Sequence, residues 1–253
     1  MLYILPIYII VFLYGIVIGS FLNVCIYRLP KGEEIVKTNS HCMVCGEQLK
    51  WYDLFPLISF LCLKGRCRYC GTKLSWQYPL VEVFNGILYC LVIAVKGVSL
   101  DSFIYCLFVS ALLTLSIIDF RTFEIPACIN LFILILGILH VVIDYQDILN
   151  LCLGFLSVST GLFVLYGITK GRGIGGGDIK LMAVSGLLLG WKCNILAFLL
   201  ACILGSIIHV IRMKISKADH VLAMGPYLAV GILISMLWGE KLIAWYLNLI
   251  CFT

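Results

Sequence analysis

Charge is scarce in this chain. Of 253 residues, 18 are Lys or Arg and 13 are Asp or Glu, so only 12% are charged. A soluble domain carries about 25%. Hydrophobic residues make up 62% of the chain, against about 45–50% in soluble domains. Mean hydropathy is +1.10. These deficits exclude a soluble enzyme, a disordered chain and a fibre. Short strands of alternating hydrophobicity are also missing, which excludes a transmembrane barrel. No internal repeat, low-complexity tract or long linker is visible. What remains is an all-α polytopic membrane protein. Of the 13 cysteines, nine are scattered singly, mostly in apolar runs, where a lone thiol packs as a small hydrophobe.

The first 27 residues carry no charge, which is long enough to cross a bilayer. This stretch lacks a basic start and a small-residue cleavage site, so it reads as a retained anchor. Seven further apolar segments follow: Val83–Val95, Ser102–Ile118, Ala127–Ile143, Ile148–Ile168, Leu181–Trp191, Asn194–Ile211 and Val221–Trp238. The expectation is about eight transmembrane helices, with Leu242–Phe252 able to extend the last. With the N-terminus outside, the inner segments 28–78, 119–126, 169–180 and 212–220 hold 15 of the 18 basic residues. Arg28, Lys31 and Lys37 lead that set, and only Lys96, Lys192 and Lys241 face out. This is the positive-inside pattern. It accounts for the net charge of +5 without nucleic acid, and the expected partner of the surface is the lipid bilayer. The chain divides into a first helix (1–27), a cytoplasmic loop domain (28–78) and a membrane-embedded domain (79–253).

A loop of about 50 residues is too small to bury much of a core unaided. Its staple is visible as Cys42-Met-Val-Cys45-Gly46 and Cys67-Arg-Tyr-Cys70-Gly71. Two Cys-x-x-Cys pairs, separated by a 21-residue spacer, suit a tetrahedral four-thiolate Zn²⁺ site of the closed, structural kind. A cytoplasmic location argues against disulfides; a redox or unliganded cluster is the alternative. Cys62 lies outside the pairs and reads as packing, and His41 as a loop residue. The loop is net +4, which lipid and orientation explain.

Carboxylates beside apolar spans are costly and point to function. Asp119 ends one span in LSIIDFRTFEIP; Asp178 opens another in GRGIGGGDIKLM. The orientation above puts both at the cytoplasmic ends of their helices. Two facing carboxylates cannot easily both ionise. Such a pair can activate a water with one member and polarise a carbonyl with the other, as in aspartyl proteases. Gly175, Gly176 and Gly177 remove side chains where an extended peptide must approach. Two other readings stay open here: solvated boundary charges paired with Arg121 and Lys180, and a proton relay in an ion-coupled transporter. Glu82 and Asn23 could line a site or serve helix packing. Gly15/Gly19 and Gly186/Gly190 have the spacing of close helix contacts.

GSFLNVCIYRLP, the paired-cysteine loop leading into SWQYPLVEVFNG, IDFRTFEIP, GIGGGDIKLM and GPYLAVG together resemble the bacterial type IV prepilin peptidases. The match covers nearly the whole chain in order and spacing. The resemblance implies an aspartyl protease of the inner membrane that removes the leader of type IV prepilins or pseudopilins at the cytoplasmic face. Asp119 and Asp178 fall on the catalytic positions, and Cys42, Cys45, Cys67 and Cys70 on the zinc ligands. It further implies methylation of the new N-terminal amine with S-adenosylmethionine. No dinucleotide-type glycine fingerprint supports that second activity independently; the 28–85 region, near Glu82, is its expected place. Presenilin-like and archaeal preflagellin enzymes share Gly-x-Gly-Asp but not the four-cysteine loop.

Overall fold

The computed structural model describes residues 4–35, 40–171, 173–216 and 222–251. Lys37, the first three residues, Val221 and Phe252 lie outside them. The described residues are helical, and their only β pairing is two isolated bridges. Polar and apolar surfaces are inverted relative to a soluble protein. Leu149, Ile168 and Ile215 are 77%, 73% and 80% exposed, whereas Asn85, Ser185 and Asn194 are fully buried. Only a hydrocarbon solvent rewards that arrangement. The chain is an integral membrane protein.

Two compact units divide it, residues 1–98 and 99–253. In the first, α1 (Ile4–Arg28) packs along α3 (Gln77–Lys96), and the loop between them carries a short helix α2 (Ile58–Cys62). Glycines set the approach of α1 to α3. A Cβ on Gly15 would come within 2.7 Å of Gly86 Cα, and one on Gly19 within 2.7 Å of Glu82 Cα. The Asn85 amide, buried in the same seam, donates to Gly15 O at 2.8 Å. The small-residue spacing of Gly15/Gly19 is thus a backbone contact. The helix α3 begins at Gln77, six residues before the Val83 start of the expected span. Pro79 sits in its first turn, where a missing N–H costs nothing.

The second unit contains α4 (Leu100–Thr122), α5 (Ala127–Ile143), α6 (Ile148–Ser157), α7 (Ser159–Thr169), α8 (Gly176–Ser216) and α9 (Gly225–Cys251). Here α8 packs on α9, α6 and α5, and α4 on α9 and α5. Among the described residues six stretches, two in the first unit and four in the second, are long and apolar enough to cross a membrane, and α5 is a shorter apolar helix. The two apolar segments expected at Leu181–Trp191 and Asn194–Ile211 both lie in α8. The helix breaks at Gly190, one residue before the first segment ends, at φ 73°, ψ 168°. Side chains bond the backbone around that break. Trp191 N–H donates to Asn150 Oδ1 at 3.3 Å, and Asn194 Nδ2 donates to Met182 O at 3.1 Å and Gly154 O at 3.0 Å. Gly154 and Gly186 meet back to back, with no room for a Cβ on either. Gly186 is therefore the packing glycine of its pair, and Gly190 the helix breaker.

Candidate active site

Asp119 sits in the last turn of α4. The helix ends three residues later, at Thr122, because Phe123 takes a left-handed conformation (φ 56°) and returns its N–H to Asp119 O at 2.9 Å. Asp178 lies in the first turn of α8, where the helix dipole favours a carboxylate, and its N–H bonds Gly175 O at 3.1 Å. One aspartate thus closes a helix and the other opens one. The turn that carries Asp178 meets the segment that follows α4: a Cβ on Gly177 would lie 3.0 Å from Ile125 Cβ, six residues beyond Asp119. Asp119 is only 4% exposed, which a solvated boundary charge would not be; Asp178 is half-buried.

Backbone amides and a buried amide side chain hold the pair. The Gly225 N–H, at the start of α9, donates to Asp119 Oδ2 at 2.8 Å. A Cβ on Gly225 would lie 2.7 Å from that oxygen, so the approach requires glycine. Asn130, buried on α5, donates from Nδ2 to Gly177 O at 3.4 Å, bracing the turn that carries Asp178. The glycines before Asp178 differ in their surroundings. Gly177 packs on Ile125, Gly175 lies against the Asp178 carboxylate, and a Cβ on Gly176 would meet nothing within 4 Å. Sequence reasoning missed the roles of Gly225 and Asn130. Asn130 left a signal, as a polar residue inside the apolar run ACINLFI; Gly225 left none beyond its motif.

The four clustered cysteines converge in the first unit. Their Sγ atoms all lie within 4.8 Å of one another, and Cys42 and Cys70 are 3.9 Å apart. Tetrahedral Zn–S bonds of about 2.3 Å put the sulfurs about 3.8 Å apart, so the donor set fits such an ion. Two equivalent knuckles make it. In each, the glycine after the second cysteine has positive φ (72° at Gly46, 70° at Gly71), which lets the chain turn back. Its N–H returns to the first cysteine's carbonyl, at 2.9 Å for Cys42 and 3.0 Å for Cys67. The bridges His41–Gln48 and Arg66–Lys73 close the two turns. Backbone amides of Cys45 and Val44 lower the Cys42 thiol pKa. Thr72, its Oγ1 3.3 Å from the Cys70 sulfur, brings that thiol down to about 6. Cys45 is lowered by the Glu47 amide but pushed up to about 11 by desolvation and the adjacent thiols. Cys62 is exposed and stands apart from the cluster.

Glu82 and Asn23 belong to neither arrangement. Both line a cavity of about 310 Å³ in the first unit. Glu82 Oε2 accepts the Leu57 N–H at 2.8 Å, holding that residue at φ 58°. Asn23 Nδ2 donates to Tyr78 O at 3.1 Å.

A helical membrane protein with two aspartates at helix ends, one buried and one half-buried, and a separate four-cysteine loop is a narrow class, and the comparisons place the chain within it. Residues 13–96 match the bacterial peptidase A24 N-terminal domain, and residues 106–210 the type IV leader peptidase family. A protein of Bacillus subtilis is 32% identical over 95% of this chain and 98% of its own length. One of Pseudomonas putida is 31% identical, covering 94% and 93%. One of Pseudomonas aeruginosa is 30% identical, covering 93% and 92%. Each is named prepilin leader peptidase/N-methyltransferase. No solved structure gives a significant match. The chain belongs to the type IV leader peptidase family, and nothing in these matches favours a transporter.

Proposed function

We propose that this protein is a membrane aspartyl endopeptidase that removes the leader peptide of type IV prepilins or pseudopilins. It works at the cytoplasmic face of the bacterial inner membrane, with its N-terminus outside. It then methylates the exposed N-terminal amine with S-adenosylmethionine. The peptidase reading is carried by one observation: an aspartate buried at the end of α4 and held by the Gly225 amide, with the glycine turn that bears Asp178 packed against Ile125 just beyond it. The relatives' names support both activities.

In this reading Asp119 and Asp178 share one proton. The ionised member draws a proton from a water, which attacks the scissile carbonyl, while the protonated member hydrogen-bonds the carbonyl oxygen. The Gly225 amide fixes one Asp119 oxygen and leaves the other for chemistry. The open side of Gly176 gives an extended substrate backbone room to approach, with Gly175 and Gly177 shaping the turn. Cys42, Cys45, Cys67 and Cys70 would hold Zn²⁺ in a filled shell, which supplies folding energy to the loop and no catalysis. The basic-residue asymmetry supports the orientation.

Co-expression with a prepilin, followed by mass measurement of the pilin N-terminus, tests the whole reading. The expected product lacks the leader and carries one extra methyl. An intact leader in the presence of the wild-type protein overturns the peptidase.

A further inference from the structure

Between its two cysteine knuckles the loop of the first unit holds ten residues without a charge, Leu54 to Leu63. The knuckles do not need this run, because the four sulfurs and the returning backbone bonds close them. Nor is the run packed away. Ile58 and Leu61, on α2, are 61% and 70% exposed, and Trp51, just before the run, is 73% exposed. Exposed apolar surface of this kind marks a contact surface. Its neighbours say what covers it. Trp76, 69% exposed, packs on Phe60 of α2 with ring centroids 5.2 Å apart. From Trp76 an exposed stripe continues along α3 through Leu80, Phe84 and Ile87. Those steps of four, four and three residues follow one face of a helix. The helix α3 is long and apolar enough to cross a membrane, so its exposed apolar stripe faces lipid. The α2 surface thus extends a lipid-facing surface. Its height on α3 is fixed as well. The Leu57 N–H, one residue before α2, donates to Glu82 Oε2 at 2.8 Å. Glu82 lies in the second turn of α3, about 8 Å along the axis from its start, between Leu80 and Phe84.

We propose that residues 51–63 are an interfacial anchor: this part of the loop lies in the headgroup and upper acyl region of the bilayer, with anionic phospholipid as its partner. Short segments anchor in this way by sinking apolar side chains about 5–10 Å into that boundary. Trp51 and Trp76 are of the residue type enriched there. Charge fits the same occupant. Lys50 and Lys64 bracket the run, and both are exposed, as are Arg66 and Lys73 beyond it. Basic residues beside a membrane are attracted by anionic headgroups. Asp53, the acid next to the run, is turned inward: its side chain is 2% exposed and bonded to Arg68. Lipid is favoured over a protein occupant because it already covers the α3 stripe that the α2 surface extends. The anchor gives the four-cysteine loop a point of attachment to the bilayer besides its two helical ends, and so holds it at one depth.

The test uses the full-length protein in cells. The photoreactive residue p-benzoylphenylalanine is placed singly at Ile58, at Leu61 or, as the lipid-facing reference, at Phe84. Both loop positions are exposed, so the larger side chain needs no repacking. After irradiation, the mass of the purified protein identifies the adduct. Ile58 and Leu61 should each give phospholipid adducts, at yields within threefold of Phe84. Loop positions that join no lipid while Phe84 does, or that join a second copy of the chain or a pilin instead, would overturn the anchor. Vesicles of equal parts phosphatidylcholine and phosphatidylglycerol, holding the purified protein, test the charge. There the loop positions should take phosphatidylglycerol at least twofold over phosphatidylcholine, and Lys50→Gln combined with Lys64→Gln should abolish that preference. Equal uptake of the two lipids by the parent, or an unchanged preference in the variant, would overturn the part given to charge. None of these outcomes touches the peptidase reading, which the pilin mass tests separately.

Discussion

Asp119 and Asp178 could be picked out from sequence because a carboxylate at the end of an apolar run has few structural uses. Replacing either by Asn keeps the shape and removes the proton chemistry. Asp119→Asn and Asp178→Asn should each lower prepilin cleavage by about 10²–10⁴-fold, with unchanged amounts of protein in the membrane. Near-normal cleavage by either variant, measured by pilin mass, rules out the dyad. Gly225 was invisible as a functional residue because its partner lies 106 positions away and the contact is a backbone amide. Gly225→Ala puts a Cβ 2.7 Å from Asp119 Oδ2, so the carboxylate must move. A displacement of about 1 Å can cost about 10²-fold. We expect cleavage by Gly225→Ala to fall by about 10–100-fold without loss of zinc. A wild-type rate would show that the Gly225 bond does not position Asp119.

Among the elements, the cysteine loop was the most legible, because ligand spacing and the glycine after each pair encode the knuckle locally. The kink in α8 was the least legible. Hydropathy runs through Gly190 on both sides, and the side chains that bond the backbone there come from Asn150 and Asn194, one on α6 and one further along α8. Pattern reading therefore marked two apolar segments without showing that they join through a single bend. The loop makes a direct prediction. Cys42→Ser or Cys67→Ser should reduce zinc from about one per protein to a small fraction and speed proteolysis of residues 28–78, because a closed four-ligand site contributes folding energy. Cys62→Ser should change neither, since Cys62 lies outside the cluster. Metal per mole in purified protein decides it: a wild-type content near zero, or equal loss from Cys62→Ser, removes the structural metal.

At the scale of the whole molecule, membrane embedding follows from the surface, while orientation follows from charge. The exposed faces of the helices are aliphatic, and the polar residues Asn85, Ser185 and Asn194 are inside. Nothing in that inversion distinguishes one side of the bilayer from the other. The basic residues favour the proposed orientation: 15 of 18 fall in segments that it places on one side, the side expected to be cytoplasmic. The four-cysteine loop and both aspartate motifs lie in that set. Glu33, exposed just after α1, should therefore be inside, and Val98, 75% exposed between α3 and α4, outside. The native cysteines give a background that the parent protein measures. Above it, a membrane-impermeant thiol reagent applied to intact cells should label Val98→Cys and leave Glu33→Cys unlabelled. Permeabilised cells should label both. The opposite pattern in intact cells would put the aspartates on the outer face, where a leader that remains in the cytoplasm could not reach them, and the proposed peptidase would lose its substrate along with its orientation.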